Sequence, residues 1–442
     1  MRIQLSDHFT YGKLLRFTLP TMLMMVFTSL YGVVDGLFVT NFAGKTALAA
    51  INFAFPVLNI LATFGYMFGA GGSALVARTL GEGNRPRANR LFSLFVYVTI
   101  LLGVVFAVAG VFLLRPLLAA LGAEGEMLDQ AVLYGIILLV SLPFWNLQFL
   151  FQIFFVTAEK PKLGLYVTLL AGVGNMVLDA LFVGLLDWQI AGAAAATAIS
   201  QILGGGIPLL YFFRHNDSLL RLGRTSFDGP AMWRATTNGT SELVNGVSGS
   251  LVGILYNTQL MAYAGEDGVA AYSIMMYVSF IFIGIFFGYA NGSAPVISYH
   301  YGAQNHGELK NVFRRSLILY GAASVGMLAL SELLAGPLSQ IFAGYDPDLY
   351  VMTLRGFRIY ALSFLFSGLA IMGSSLFTAL NNGAVSAVLA FLRTVVFQVS
   401  CVLLFPLYLE LDGIWLSVVA AELLAMLASV FFMTVMRKKY RY

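Results

Sequence analysis

Long apolar runs separated by short polar clusters occupy the chain from residue 14 to residue 436. A helix needs ~20 apolar residues to cross the hydrocarbon core of a bilayer. Twelve such runs can be marked, at 14–40, 47–77, 91–114, 127–157, 163–186, 190–213, 235–263, 268–298, 312–335, 349–380, 384–408 and 413–436. Several exceed the minimum, so tilted or extended helices are expected. The pattern predicts an all-α membrane protein of twelve transmembrane helices.

The pattern also repeats, at an offset of about 221 residues. Ser29-Leu30-x-Gly32 recurs as Ser250-Leu251-x-Gly253, and Gly72-Ser73-Ala74-x-Val76 as Gly292-Ser293-Ala294-x-Val296. Pro116-Leu117 matches Pro337-Leu338, and Thr157-Ala158 matches Thr378-Ala379. An offset of six helices returns to the same side of the membrane. The halves, 1–213 and 235–442, are therefore parallel repeats about an axis along the membrane normal. Between them the polar stretch 214–234, with Gly223, Gly229 and Pro230, reads as a cytoplasmic linker.

Composition rules out a water-soluble domain: 59% of the 442 residues are hydrophobic and only 10% charged, where soluble domains carry about 25%. The placement of charge is more informative than the net +4. Of the 25 lysines and arginines, only Lys45 and Arg115 fall in odd-numbered connections. Arg355, Arg358 and Arg393 lie within spans, and the rest, from Arg2 to Arg441, occupy the termini, the even-numbered connections and the span ends that adjoin them. By the positive-inside rule both termini face the cytoplasm, in a cell inner membrane. The first apolar run is too long for a cleaved signal. Cys401 is alone, so it forms no intramolecular disulfide and reads as packing.

Ionisable groups within spans are costly and ask for a reason. Asp35, Asp179, Glu242, Glu422 and Arg393 qualify. Asp35 and Asp179 sit at similar depth, ~9–12 Å below the outer end of the first and fifth spans. Asn175 is one turn before Asp179 on the same face, Tyr31 one turn before Asp35, and Thr197 reaches a similar level in the sixth span. These oxygen ligands suit a monovalent metal cation such as Na⁺, or a proton shared between the carboxylates. Counterparts in the second half are Tyr256, Val396, Ser400 and Val418, so the cluster is not duplicated. Glu242 and Arg393 each lie about ten residues from the cytoplasmic end of their spans and are expected to pair, with substrate binding as the alternative. Gln148 and Gln152 face an internal cavity or bond a neighbouring helix, and Pro20 allows a bend in the first span. The glycines of Gly69-Ala70-Gly71-Gly72 predict close helix packing. No H-E-x-x-H, G-x-x-x-x-G-K-[ST] or G-x-S-x-G is present. Transport would then run on an ion gradient, with no enzymatic step.

Val34-Asp35-Gly36-Leu37-Phe38-Val39, Asn175-x-x-x-Asp179 and Gly292-Ser293-Ala294-Pro295-Val296-Ile297-Ser298-Tyr299-His300-Tyr301-Gly302-Ala303 give the chain a resemblance to the multidrug and toxic compound extrusion (MATE) family, bacterial branch. The resemblance covers essentially the full length. It implies a V-shaped pair of six-helix bundles that alternates between outward- and inward-open forms. It further implies export of bulky amphipathic or cationic compounds in exchange for Na⁺ or H⁺, with no other cofactor and no nucleic-acid partner, by a monomer in the lipid bilayer. The family's cation site maps to Tyr31, Asp35, Asn175, Asp179 and Thr197, and its helix-bending proline to Pro20. Glu242 does not fall at the spacing of the acid that other branches carry in the seventh helix. An exporter or flippase of lipid-linked oligosaccharide or polysaccharide, in the same superfamily, is the alternative. It would want a strongly basic cavity, whereas Arg393 is the clearest buried base here.

Overall fold

The computed structural model describes residues 3–38 and 44–442, with the side chains of 33–38, 44, 45 and 48 outside the described set. Arg2, the Asp35 carboxylate and the Lys45 ammonium therefore lie outside the described residues. The helices are α1 (Tyr11–Phe38), α2 (Gly44–Gly81), α3 (Arg85–Ala120), α4 (Gly125–Thr157), α5 (Pro161–Asp179), α6 (Gln189–Phe213), α7 (Gly229–Gly302), α8 (His306–Ala343), α9 (Pro347–Ala361), α10 (Phe364–Ala379), α11 (Gly383–Phe391), α12 (Gln398–Leu404) and α13 (Pro406–Tyr440). No strand occurs among the described residues.

Ten helical segments are long and apolar enough to cross a bilayer, α11 and α12 counting as one continuous segment, Gly383–Leu404, and the α9–α10 pair, bent by 44° at Leu362–Ser363, makes an eleventh crossing. The 74 residues of α7 are two crossings rather than one. Gly265, at φ 61° and ψ −150°, breaks the helix in a conformation that side chains rarely adopt. The two arms fold back together, because Tyr256 stacks on Tyr272 with ring centroids 5.5 Å apart. A straight helix would separate that pair by ~24 Å. The count thus reaches the twelve crossings read from the apolar pattern, in a multi-pass membrane protein.

Packing follows the chemistry of a lipid solvent. Large apolar side chains such as Phe112, Val140, Leu185 and Leu333 point outward. Serines are instead buried between helices, with Ser316, Ser324, Ser331 and Ser339 forming one such face on α8. Small residues let helix backbones approach where no hydrophobic drive exists between helices in lipid. α2 of the first half lies against both arms of α7, and α1 lies against the second arm. A methyl group at Gly71 would overlap the Ala235 carbonyl, one at Gly239 the Met67 carbonyl, and one at Gly81 the Tyr299 carbonyl. This glycine seam lies toward the end of the bundle that carries both chain termini. Residues 3–9 cross the same end. Leu5 N–H donates to Glu159 Oε1 at 2.7 Å and Phe9 N–H to Glu308 Oε1 at 2.8 Å, so one segment touches both halves.

Two boundaries differ from expectation. The helix predicted from residue 235 begins at Gly229, with the Asp228 side chain accepting from Ala231 N–H and Pro230 in the first turn. The helix carrying the seventh span therefore starts six residues before that apolar run. The tenth span, expected as one run, is the bent α9–α10 pair.

Candidate functional site

Asn175 and Asp179 are carried on the last turn and a half of α5, 1% and 0% exposed. Asp179 is followed at once by a π-helical turn, residues 180–185. Wide turns of this kind shift the side chains that follow them and recur at functional sites. α5 packs between α1 and α6. Gly172, three residues before Asn175, leaves the gap into which Phe27 and Tyr31 of α1 fit. Asn175 Nδ2 and Thr197 Oγ1, on α6, are enclosed without a hydrogen-bond partner among the described residues. Asp179 has an interaction partner. The Asp35 side chain lies outside the described set, while its backbone is helical near the end of α1.

Polar donors of this kind fit a small hard cation: a carboxylate, an amide and a hydroxyl from α5 and α6 in an apolar surround. A bare proton on the carboxylate fits equally. Among the described residues no group of three or more His, Cys, Asp or Glu side chains is arranged to hold a metal ion. Pro20 is buried within α1, which stays helical through it.

Gln148 and Gln152 of α4 line a water-sized pocket with Phe151, Phe155, Thr168 and Gly204. That pocket is internal to the first half, between α4, α5 and α6. Gln148 fills the space a side chain at Gly204 would need. Gln152 Nε2 has no partner among the described residues.

The second half holds a different cluster. Arg393 stands on a second π-helical turn, residues 392–397, and its expected pairing with Glu242 is not what forms. Its Nε and Nη2 instead donate to the Glu422 carboxylate of α13, at 2.9–3.1 Å. Glu242 lies beside this pair in a small pocket with Asn245, Asn291, Ser374, Ser375 and Arg393. Asn291 donates to Tyr66 Oη of α2, a polar link between the halves next to Glu242. Depth alone suggested Glu242 as the partner. The wide turn and the position of α13 put Glu422 within reach first.

Sequence reasoning missed Glu159 and Glu308, which accept from the backbone of the N-terminal segment, and Tyr66, which touches Asn291. Glu308 also meets the His8 ring at 2.7 Å. The buried apolar Leu5 and Phe9 in an otherwise polar N-terminus were the available signal.

The MatE family's sequence signature matches residues 20–181 and again 247–404, one stretch in each half. The chain belongs to this family of membrane transporters, which are not enzymes. Among curated relatives, the multidrug export protein MepA of Staphylococcus haemolyticus is 25% identical over 95% of this chain and 92% of its own length. MepA of Staphylococcus saprophyticus is 23% identical over 97% and 94%. Among solved structures, an outward-facing multidrug resistance MATE family transporter of the MOP superfamily superposes with a TM-score of 0.92 at 21% identity, over 98% of this chain and 97% of that one. A MOP superfamily transporter from Pyrococcus furiosus, described as having a binding pocket of reversed polarity, reaches 0.90 at 21% identity over 98% of each chain.

Proposed function

We propose that this protein is a secondary active antiporter that exports bulky amphipathic or cationic compounds in exchange for Na⁺ or H⁺. It acts as a monomer in the cell inner membrane, with both termini cytoplasmic. The observation that carries the reading is the enclosure of Asp179 with Asn175 beside a π-helical turn, deep in an apolar bundle. A carboxylate enclosed there is costly to keep charged, and binding a cation or a proton lowers that cost. The second half has Ser400 and Val396 at the matching positions, so the cation acts on one half only.

Asp35, Asp179, Asn175, Thr197 and Tyr31 are the coupling residues in this reading, and the Pro20 region of α1 bends between states. Cation binding shifts the balance between two packings of the first half, through differential affinity for them. Alternating access then requires the glycine seam between α2 and α7 to part. Cargo of positive or neutral character is supported by Arg393, whose charge is offset by Glu422 and so does not make the interior basic. The multidrug export role named for the staphylococcal relatives points the same way.

The deciding experiment uses proteoliposomes loaded with a fluorescent organic cation, under Na⁺ and H⁺ gradients imposed separately. Efflux driven by one gradient and lost with its ionophore is expected. No gradient-driven efflux, together with translocation of a lipid-linked sugar, would replace the antiporter reading with the flippase.

A further inference from the structure

The connection between the halves is pinned to α3 along its length. Arg221 N–H donates to Asn89 Oδ1 at 3.0 Å and Gly223 N–H to Ser93 Oγ at 3.0 Å. Thr225 Oγ1 donates to the Arg90 carbonyl at 2.8 Å, and Tyr97 Oη to the Gly223 carbonyl at 3.1 Å. Lys160 bonds Asp217, holding that carboxyl below the usual carboxylate range. Leu220 and Leu222 of the connection are themselves buried. A cleft remains between the connection and α3, lined by Arg87, Arg90, Leu91, Leu94, Thr225, Ser226 and Asp228.

Three features of this cleft point to one kind of occupant. Arg87 and Arg90 stand exposed at its rim with no ion pair among the described residues, while Arg85 nearby is already committed to the Ser218 and Leu219 carbonyls. Leu91 and Leu94 give it an apolar floor, at the level where α3 changes from arginine-rich to apolar. Phe227, between the lining residues Ser226 and Asp228, is 77% exposed, and Trp233, in the second turn of α7, is 70% exposed. Large aromatic rings exposed next to arginines are typical of the boundary between headgroups and acyl chains.

We propose that this cleft binds an anionic phospholipid of the leaflet on the termini side, with a single phosphodiester and a hydroxyl-bearing headgroup. The phosphate sits between the Arg87 and Arg90 guanidinium groups, which match its oxygens in charge and fork geometry. The Ser226 hydroxyl is free to donate to it. Asp228 spends one carboxylate oxygen on the Ala231 N–H, at 3.0 Å, and its remaining capacity accepts from a headgroup hydroxyl. That carboxylate also disfavours a doubly charged phosphomonoester. The upper acyl chains lie on Phe227 and Trp233. A lipid held there fastens the one covalent connection between the halves to α3.

Native mass spectrometry of the full-length protein, in micelles doped with phosphatidylglycerol or phosphatidylcholine, tests this directly. Wild-type protein is expected to retain phosphatidylglycerol preferentially. Arg87→Gln/Arg90→Gln should reduce that preference on the order of tenfold, given the strength of basic side chains at anionic membrane surfaces. The Arg437→Gln/Lys438→Gln variant, altered at a different basic cluster, should keep it, and size-exclusion profiles confirm folding of each. An unchanged preference in the Arg87/Arg90 variant, or an equal loss in the control, overturns the proposal. Displacement by millimolar inorganic phosphate would overturn the lipid assignment in favour of a soluble anion.

Discussion

Arg393 meets Glu422, not Glu242, and the three hydrogen bonds between them leave both side chains almost fully enclosed, at 8% and 3% exposure. Two carboxylates and one guanidinium therefore lie close together in the second half. The Glu422 charge is balanced and Glu242 is left with the amide of Asn245 and the link from Tyr66 to Asn291 beside it.

The ion pair is expected to be structural. Removing one partner strands a buried charge, a loss of about 3–5 kcal/mol in comparable sites. Arg393→Met or Glu422→Leu should lower the thermal midpoint of the detergent-solubilised protein clearly, and the double variant Arg393→Met/Glu422→Leu should recover most of it. Glu242→Gln should shift the midpoint little. Equal destabilisation by Glu242→Gln would mean that the three groups act as one unit.

Coupling is expected to depend on the first half. Asp35→Asn and Asp179→Asn should each reduce gradient-driven efflux to background while membrane expression is retained. Asn175→Ala and Thr197→Ala should raise the cation concentration for half-maximal transport about tenfold or less, since each removes a neutral ligand. Normal pumping by both aspartate variants, measured per molecule in proteoliposomes, would remove the site from the first half.

The seam should be sensitive to single methyl groups. Gly239→Ala pushes a Cβ into the Met67 carbonyl, backbone against backbone, so α2 and α7 must separate. Spin labels at Glu82 and Gln304 should then move apart by several Å on the scale of a helix shift. Gly249→Ala, on the same helix with nothing within 4 Å, should leave the distance distribution unchanged.

Sidedness can be checked by accessibility. Cysteines at Lys162 and Asn305 should react only with reagent supplied from the cytoplasm, and those at Asp187 and Asp267 only from outside. External labelling at Asn305 would reverse the orientation inferred from the charged connections.

Much of this architecture was legible in one dimension. Apolar runs mark the crossings because each helix must satisfy its backbone within itself in lipid, which makes length and hydropathy local properties. Asp228-Gly229-Pro230 carried a helix-start signal as well, a capping side chain followed by proline, but the surrounding charge made it read as connection.

Partnership was decided elsewhere. Arg393 has two carboxylates near its depth, and choosing between them depends on the rotation of one helix about its axis and the approach of another. The π-helical turns at 180–185 and 392–397 set part of that rotation, and no residue type announces them. The bend at Leu362–Ser363 likewise occurs without proline or glycine. Hydropathy told which residues enter the membrane, because partition into lipid is settled residue by residue. Which side chains meet there was left to helix packing, where contacts between segments distant in the chain select one rotation among several of similar local energy.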